Sequence, residues 1–199
     1  MGNGDADVMS LGPISPFTPI PSDSTLFVET KRMVLEPIME NHALEMVDTL
    51  SDQRLYAFIP GNPPAVDGLK TRYLKWQTRC SPAQDQLWLN WAARQKIEKN
   101  LIGHFQAGLI RESREANVAY LVGFQFQRQG YAFEALTAIV DFLANSLQAK
   151  AVKATIDTRN IASINLVKKL GMVQVQFIKN ADHFKGSDSD EFVFERIFR

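Results

Sequence analysis

The chain has 199 residues, enough for one domain with a substantial core, and its 45% hydrophobic and 22% charged residues lie near the globular norm, which argues against disorder and fibrous repeats. Lys plus Arg (22) balances Asp plus Glu (22), and no basic run could neutralise a stretch of phosphate backbone, so a nucleic-acid partner is not expected. The lone Cys80 allows neither an internal disulfide nor a Cys-based metal site, the three histidines His42, His104 and His183 are remote from one another, and the expected chemistry is metal-free.

In chain order, residues 1–24 are rich in Gly, Pro, Ser and Asp without periodicity, and read as a mobile leader ahead of a domain spanning 25–199. Asp5 and Asp7 stand where a secretory signal would be basic, and Ala6 where a myristoylation motif needs Ser or Thr. No apolar run reaches the roughly 20 residues that span a bilayer, so the expectation is a cytoplasmic protein without a membrane partner. Leu26–Thr30 and Arg32–Leu35 form an opening strand or a pair of short ones, ended by Pro37.

Asn41 is placed to cap a helix carrying Ala43, Val47 and Leu50, and Leu69, Tyr73 and Trp76 mark a second helix after the turn-forming Pro60–Pro64 segment. Leu87, Leu89, Trp91 and Ala93 alternate with Trp88, Asn90 and Ala92, and pair as a hairpin with Leu101–Ile110 across the polar Lys96–Asn100 connection. Asn117–Val122 is the next strand. Beyond it, Ala132, Leu136, Ile139, Val140, Leu143 and Leu147 fall on one helical face.

Between that strand and that helix lies Gln127-Arg128-Gln129-Gly130-Tyr131-Ala132. A helix that opens on glycine points unpaired N–H groups outward, and its dipole adds partial positive charge, so the segment suits a pyrophosphate. It does not fit a P-loop or the three-glycine dinucleotide fingerprint. As a lone glycine, Gly130 is equally a plain strand-to-helix turn.

Val152, Ala154 and Ile156 make a strand of mixed exposure. Asn160 then caps a helix to Leu170, with Lys168 and Lys169 in the last turn and Gly171 as its stop. Two final strands, Val173–Ile178 and Glu191–Phe198, flank a polar loop at Asn180–Asp190. The order β-α-α-β-β-β-α-β-α-β-β predicts an α/β fold of one domain.

Two motifs carry a family resemblance. Gln127, Gly130 and Ala132 fill the positions of Gln/Arg-x-x-Gly-x-Gly/Ala, the acetyl-CoA motif of the GNAT superfamily of acyl-CoA N-acyltransferases. Asn160-Ile161-Ala162-Ser163, Leu166 and Lys169-Leu170-Gly171-Met172 resemble a second signature, Met172 replacing its usual aromatic. The chain is similar to this family from about Leu26 to Arg199, most closely to the branch of the ribosomal-protein alanine acetyltransferases. The resemblance implies a mixed, mostly antiparallel sheet of about seven strands with helices on both faces, in a monomer or homodimer.

It also implies acetyl-CoA as cosubstrate and direct attack by a primary amine, either a protein N-terminus or a small molecule. Tyr120, Leu121 and Val122 would pair with the pantetheine arm, backbone donors of Arg128, Gln129, Gly130, Tyr131, Ala132 and Phe133 would hold the pyrophosphate with Gln127, and Arg128 would add charge. Many relatives protonate the leaving thiolate with a tyrosine where this chain has Val167, so Ser163 is the expected acid, with Asn160 near the cofactor arm. Asn117 stands where relatives often have a glutamate base; Glu134, Asp157, His104 and Glu191 are the remaining candidates. Tyr56, Phe58, Ile59, Trp88 and Trp91 lie in segments that line the family's acceptor cleft, and Glu134 is placed with that site. A non-catalytic acyl-CoA-binding module and an unrelated phosphate-binding module are the alternatives.

Overall fold

The computed structural model describes residues 21–198. Residues 1–20 of the expected leader lie outside them. The short helix α1 (Asp23–Leu26) already belongs to the domain: Leu26 is buried and its carbonyl accepts the Trp91 indole N–H at 2.7 Å, while Asp23 pairs with the buried Arg79 at 3.0 Å. Strands β1 (Val28–Glu29) and β2 (Met33–Pro37) follow as an antiparallel pair. Helix α2 (His42–Thr49), a 3-10 turn (Gln53–Tyr56) and helix α3 (Val66–Trp76) come next. Asn41 does not cap α2 with its side chain; the first helical residue, His42, instead folds back on the preceding turn, its Nδ1 accepting the Met39 N–H at 3.0 Å.

Strands β3 (Gln86–Gln95), β4 (Leu101–Ile110) and β5 (Glu115–Val122) form an antiparallel meander. Helix α4 (Tyr131–Asn145), strand β6 (Ala151–Asp157), helix α5 (Ile161–Lys169) and strands β7 (Val173–Phe184) and β8 (Ser187–Ile197) complete the chain. All eight strands share one sheet in the order β1-β2-β3-β4-β5-β6-β8-β7, and only β5 and β6 run parallel. Two cores result. One lies under α4 and α5 and holds Trp91, Phe105, Leu136, Ile139 and Phe194; the other lies under α2 and α3 and holds Met46, Leu50, Tyr56, Leu69 and Tyr73.

Helix α5 begins and ends as its sequence implies. The Asn160 carboxamide accepts the Ser163 N–H at 3.2 Å, and Gly171 at φ +78° lets Met172 N–H reach the Val167 carbonyl and its own N–H reach Lys168, a left-handed C-terminal stop. The expected loop at Asn180–Asp190 is instead a hairpin. Lys185 (φ +52°) and Gly186 (φ +75°) form a two-residue turn whose twist matches the strands, so the polar residues on either side pair as β7 and β8. Strand polarity misled the sequence reading because β7 is an edge strand, exposed along almost its whole length.

Candidate active site

Strands β5 and β6 pair only through Glu115↔Ala151, Ala116↔Val152 and Asn117↔Lys153. Beyond Asn117 they diverge, while β5 stays bonded to β4 as far as Gly103↔Val122. A wedge therefore opens beside residues 118–122. Alternate N–H and C=O groups of a strand point to opposite sides, so this stretch offers backbone donors and acceptors to an extended ligand arm. Tyr120, Leu121 and Val122 all border the wedge. The Val122 side chain is buried beneath α4, its carbonyl accepts the Gln127 amide at 3.2 Å, and Leu121 leans toward the α2–α3 core.

The wedge leads to the loop before α4. A 3-10 turn (Phe124–Phe126) is followed by Gln127 in extended backbone, Arg128 at φ +62° and Gly130 at φ +83°. Left-handed residues interspersed among others curl a backbone into concavities that suit anions, and a non-glycine residue such as Arg128 holds this conformation at a cost of about 1–3 kcal/mol. Gly130 brings no capping side chain to α4, and the N–H groups of Tyr131, Ala132 and Phe133 face the helix opening. Gln129 bonds the Gln125 carbonyl at 2.8 Å, while Arg128 is exposed.

Around the loop stand groups that the sequence reading did not find. Thr30, the Arg32 backbone N–H and the Arg32 guanidinium all donate to Glu134, at 2.7, 2.7 and 2.6 Å. Burial pushes the Glu134 carboxyl up, but these donors outweigh it and hold the group below its usual range. Glu134 is thus a brace at the start of α4 rather than a residue turned toward an acceptor. No spacing rule links residues 102 apart, so Arg32 carried no signal.

Across the wedge, the Tyr120 hydroxyl and Ser163 Oγ lie 2.9 Å apart, joining β5 to the first turn of α5. Tyr120 stacks on Phe105 with ring centroids 6.0 Å apart, and burial pushes its phenol up although the Ser163 contact opposes that. Ser163 therefore has its N–H on the Asn160 cap and its hydroxyl on Tyr120, and Asn160 acts here as the cap. A hydroxyl fixed between a phenol and an open wedge can donate to a group entering that wedge.

The acceptor-side residues separate on folding. Trp91 has no exposed surface, packs edge-on against Phe142 and donates to Leu26, so it is a core residue on the α4 side of the sheet. Tyr56 is also core, its hydroxyl bonded to the Leu50 carbonyl at 3.1 Å. Their aromatic character signalled packing, the ordinary use of such rings. Trp88 is half-buried on the opposite face beneath Lys75, in one cross-sheet row with Gly108, Asn117 and Lys153, where the wedge closes. Phe58 and Ile59 are exposed beyond the first 3-10 turn, and Lys185 at the tip of the β7–β8 hairpin reaches the Tyr56 carbonyl.

Among the candidate bases, His104 is buried, accepts from or donates to Tyr73 at 3.1 Å, and is pushed down to about 3 by burial and by Arg72. Asp157 is bound by Arg159 and by Ser189 at 2.7 Å and is held at about 2, mainly by the Arg159 hydrogen bond. Glu191 pairs in register with Asp157 on the face away from α5, and burial together with Asp182 and Asp157 pushes its carboxyl up. Among the described residues no group of three or more His, Cys, Asp and Glu could hold a metal ion, and no helix is long and apolar enough to cross a membrane.

A family model described as an acetyltransferase (GNAT) domain matches residues 32–173, which include the wedge, the loop and the α5 signature. The chain is 32% identical to the uncharacterized protein YkkB of Bacillus subtilis (strain 168) over 104 residues, 45% of this chain and 60% of that one. It is 22% identical over 172 residues to the uncharacterized N-acetyltransferase YoaA of the same organism, covering 85% and 96%. Its fold is similar to the ribosomal-protein-S5-alanine acetyltransferase from Vibrio fischeri, with a TM-score of 0.74 at 17% identity over 86% and 96% of the two chains. It is similar also to the microcin C7 self immunity acetyltransferase MccE in complex with acetyl-CoA and AMP, with a TM-score of 0.75 at 12% identity over 84% and 93%.

Proposed function

We propose that this chain, which belongs to the GNAT acetyltransferase family, transfers an acetyl group from acetyl-CoA to a primary amine by direct attack in a ternary complex. The observation that carries this reading is the wedge itself. It ends in a left-handed loop at the opening of α4 and is bridged at its side by Tyr120 and Ser163. The pantetheine arm would lie along Tyr120–Val122 and add its polar groups to the unpaired backbone. The pyrophosphate would sit on the N–H groups from Arg128 to Phe133, with the Arg128 guanidinium beside it.

Acyl transfer then requires a neutral amine close to the thioester carbonyl and a proton for the departing thiolate. In this reading the Ser163 hydroxyl gives that proton. The 2.9 Å contact with the Tyr120 hydroxyl fixes the position of Oγ, and the reading requires the phenol to be the donor, which leaves the Ser163 proton free for the wedge and makes it the stronger acid. Glu134, Asp157 and His104 are unsuited to accept the amine's proton, the first two because they are ion-paired and hydrogen-bonded, the third because burial disfavours its charged form. Glu191, opposite Asp157 where β6 and β8 pair on the sheet face away from α5, is the carboxylate whose surroundings raise its proton affinity, and in this reading it is the candidate base, by itself or through water. The amine is a protein N-terminus or a small molecule, met on the face that carries Trp88, Phe58, Ile59 and Glu191.

A non-catalytic acyl-CoA-binding module is the second reading, favoured by Asn117 and Val167 at positions where relatives carry acid–base groups. Thiol release from acetyl-CoA over a panel of amines and N-terminal peptides separates the two. Amine-dependent release is the expected result, and tight acetyl-CoA binding without release from any acceptor would establish the module instead.

A further inference from the structure

Arg32 reaches the anion loop from the turn between β1 and β2. Its Nε bonds Glu134 at 2.6 Å, its Nη1 donates to the Gln129 carbonyl at 3.0 Å, and its guanidinium lies 4.1 Å from the centroid of the Tyr131 ring. Its Nη2 is also what a side chain on Gly130 would first meet, at 3.4 Å from the position of a Cβ. Tyr131 is held on its far side by Gln95, whose amide donates to the phenol at 2.8 Å. One side chain thus bonds Gln129, lies over the Tyr131 ring and borders the space into which a side chain on the intervening Gly130 would point.

The consequence follows from peptide geometry. In a trans peptide the C=O and the next N–H point to opposite sides of the chain. When Arg32 holds the Gln129 carbonyl on its own side, the Gly130 N–H must face away from Arg32, toward the open side of the loop. The reverse orientation would turn a carbonyl oxygen toward a bound phosphate, where like partial charges repel. A glycine flanking the peptide makes such a flip cheap, since Gly130 visits either sign of φ readily. The orientation therefore needs an outside constraint, and Glu134 supplies the rigid anchor for it.

We propose that Arg32 is a positioning residue for the acetyl-CoA diphosphate: it locks the Gln129–Gly130 peptide plane so that the Gly130 N–H faces the phosphate oxygens. This rests on the acetyl-CoA reading above. The planar guanidinium is essential because it must bond Glu134 and Gln129 at once, a fork that lysine lacks.

The test compares acetyl-CoA with acetyl-pantetheine, a donor that keeps the thioester arm and lacks the diphosphate, in Arg32→Met and Arg32→Lys. Calorimetry with CoA should show a Kd raised about tenfold in Arg32→Met, and at least about fivefold in Arg32→Lys although the charge is retained. The ratio of kcat/KM for acetyl-CoA to that for acetyl-pantetheine should fall by about the same factor, with the loss in KM rather than kcat. Wild-type affinity in Arg32→Lys would overturn the locking role in favour of simple charge. An equal loss with both donors would overturn it in favour of general support of the fold. Should Arg32→Met fail to fold, Glu134→Gln, which loosens the anchor and keeps the volume, should shift the same ratio by about threefold, and an unchanged ratio would again overturn the proposal. If the wild-type protein itself bound no CoA, the proposed function would fail first, a result distinct from each of these.

Discussion

The two ends of the molecule that meet at the wedge are built by different means. The proposed cofactor end is made mostly of backbone: a strand that loses its neighbour after Asn117, two left-handed residues at Arg128 and Gly130, and a helix with an uncapped start. The proposed acceptor end is made of side chains: Phe58 and Ile59 beyond the first 3-10 turn, Trp88 of β3 and Glu191 of β8, with the β7–β8 hairpin tip reaching Tyr56 through Lys185. A backbone site tolerates sequence change wherever the dihedral angles survive, so it is shared widely among similar folds. A side-chain site changes with every substitution, so acceptor choice varies among proteins of one fold more readily than a backbone site does.

The largest expected effect falls on the backbone end. Gly130→Glu places a side chain at φ +83° against Arg32 and a negative charge beside the diphosphate site, and should abolish acetyl-CoA binding at a stability cost of about 1–3 kcal/mol from backbone strain. Unchanged affinity by calorimetry in the folded variant would remove the anion loop from the site. Next comes the bridge between the two ends. Ser163→Ala should lower kcat by roughly 10²–10⁴-fold with acetyl-CoA affinity nearly constant, and Tyr120→Phe should reproduce part of that loss. If Ser163 acts only within the helix, turnover per folded molecule is preserved.

Trp91→Ala asks whether the acceptor end extends to the core. With the ring fully buried and its N–H on Leu26, the expected change is a loss of about 3–5 kcal/mol in unfolding free energy, with the acceptor KM of the folded fraction unmoved. A selective rise in that KM would return Trp91 to the cleft. His104, on the opposite face of the sheet beneath α3, gives a pH signature. Its folded-state value near 3 lies below the ordinary 6.5, so the neutral form's contribution is complete above about 6.5 and is lost as pH falls toward about 3. Between pH 7 and 4.5 the protein should lose on the order of 2–3 kcal/mol that His104→Gln does not lose, read from urea midpoints. Asp157 titrates below that interval, between about 4 and 2, and does not confound it. Smallest is Lys185→Met, which frees the hairpin tip from Tyr56 and should raise the acceptor KM by about two- to fivefold while leaving CoA affinity unchanged.

Much of the fold was legible because its signals are local. The α4 stripe of Leu136, Ile139, Val140 and Leu143, the Asn160 cap and the Gly171 stop all depend on neighbours within a few residues, and each stands in the structure as read. The β7–β8 hairpin was missed because its turn is Lys185-Gly186 rather than the usual Asn-Gly or Asp-Gly, and its edge strand lacks apolar alternation. Trp91 and Trp88 are near neighbours on one strand with opposite fates, and only the sheet's two coverings decide that Trp91 enters the core under α4 while Trp88 stays half-buried beneath Lys75.

The sequence by itself determined the order of elements from α2 onward, though not the opening helix α1, together with the glycine that opens α4 and the residues available to cap α5, because dihedral preference and periodicity are properties of short segments. Only the tertiary structure decided that Glu134 is tied to Arg32 across 102 residues, that Tyr120 meets Ser163 across 43, and that Asp157 is held ion-paired while Glu191 keeps a raised proton affinity. Charge and proton affinity depend on which groups come within a few ångströms, and that is settled by packing between distant parts of the chain.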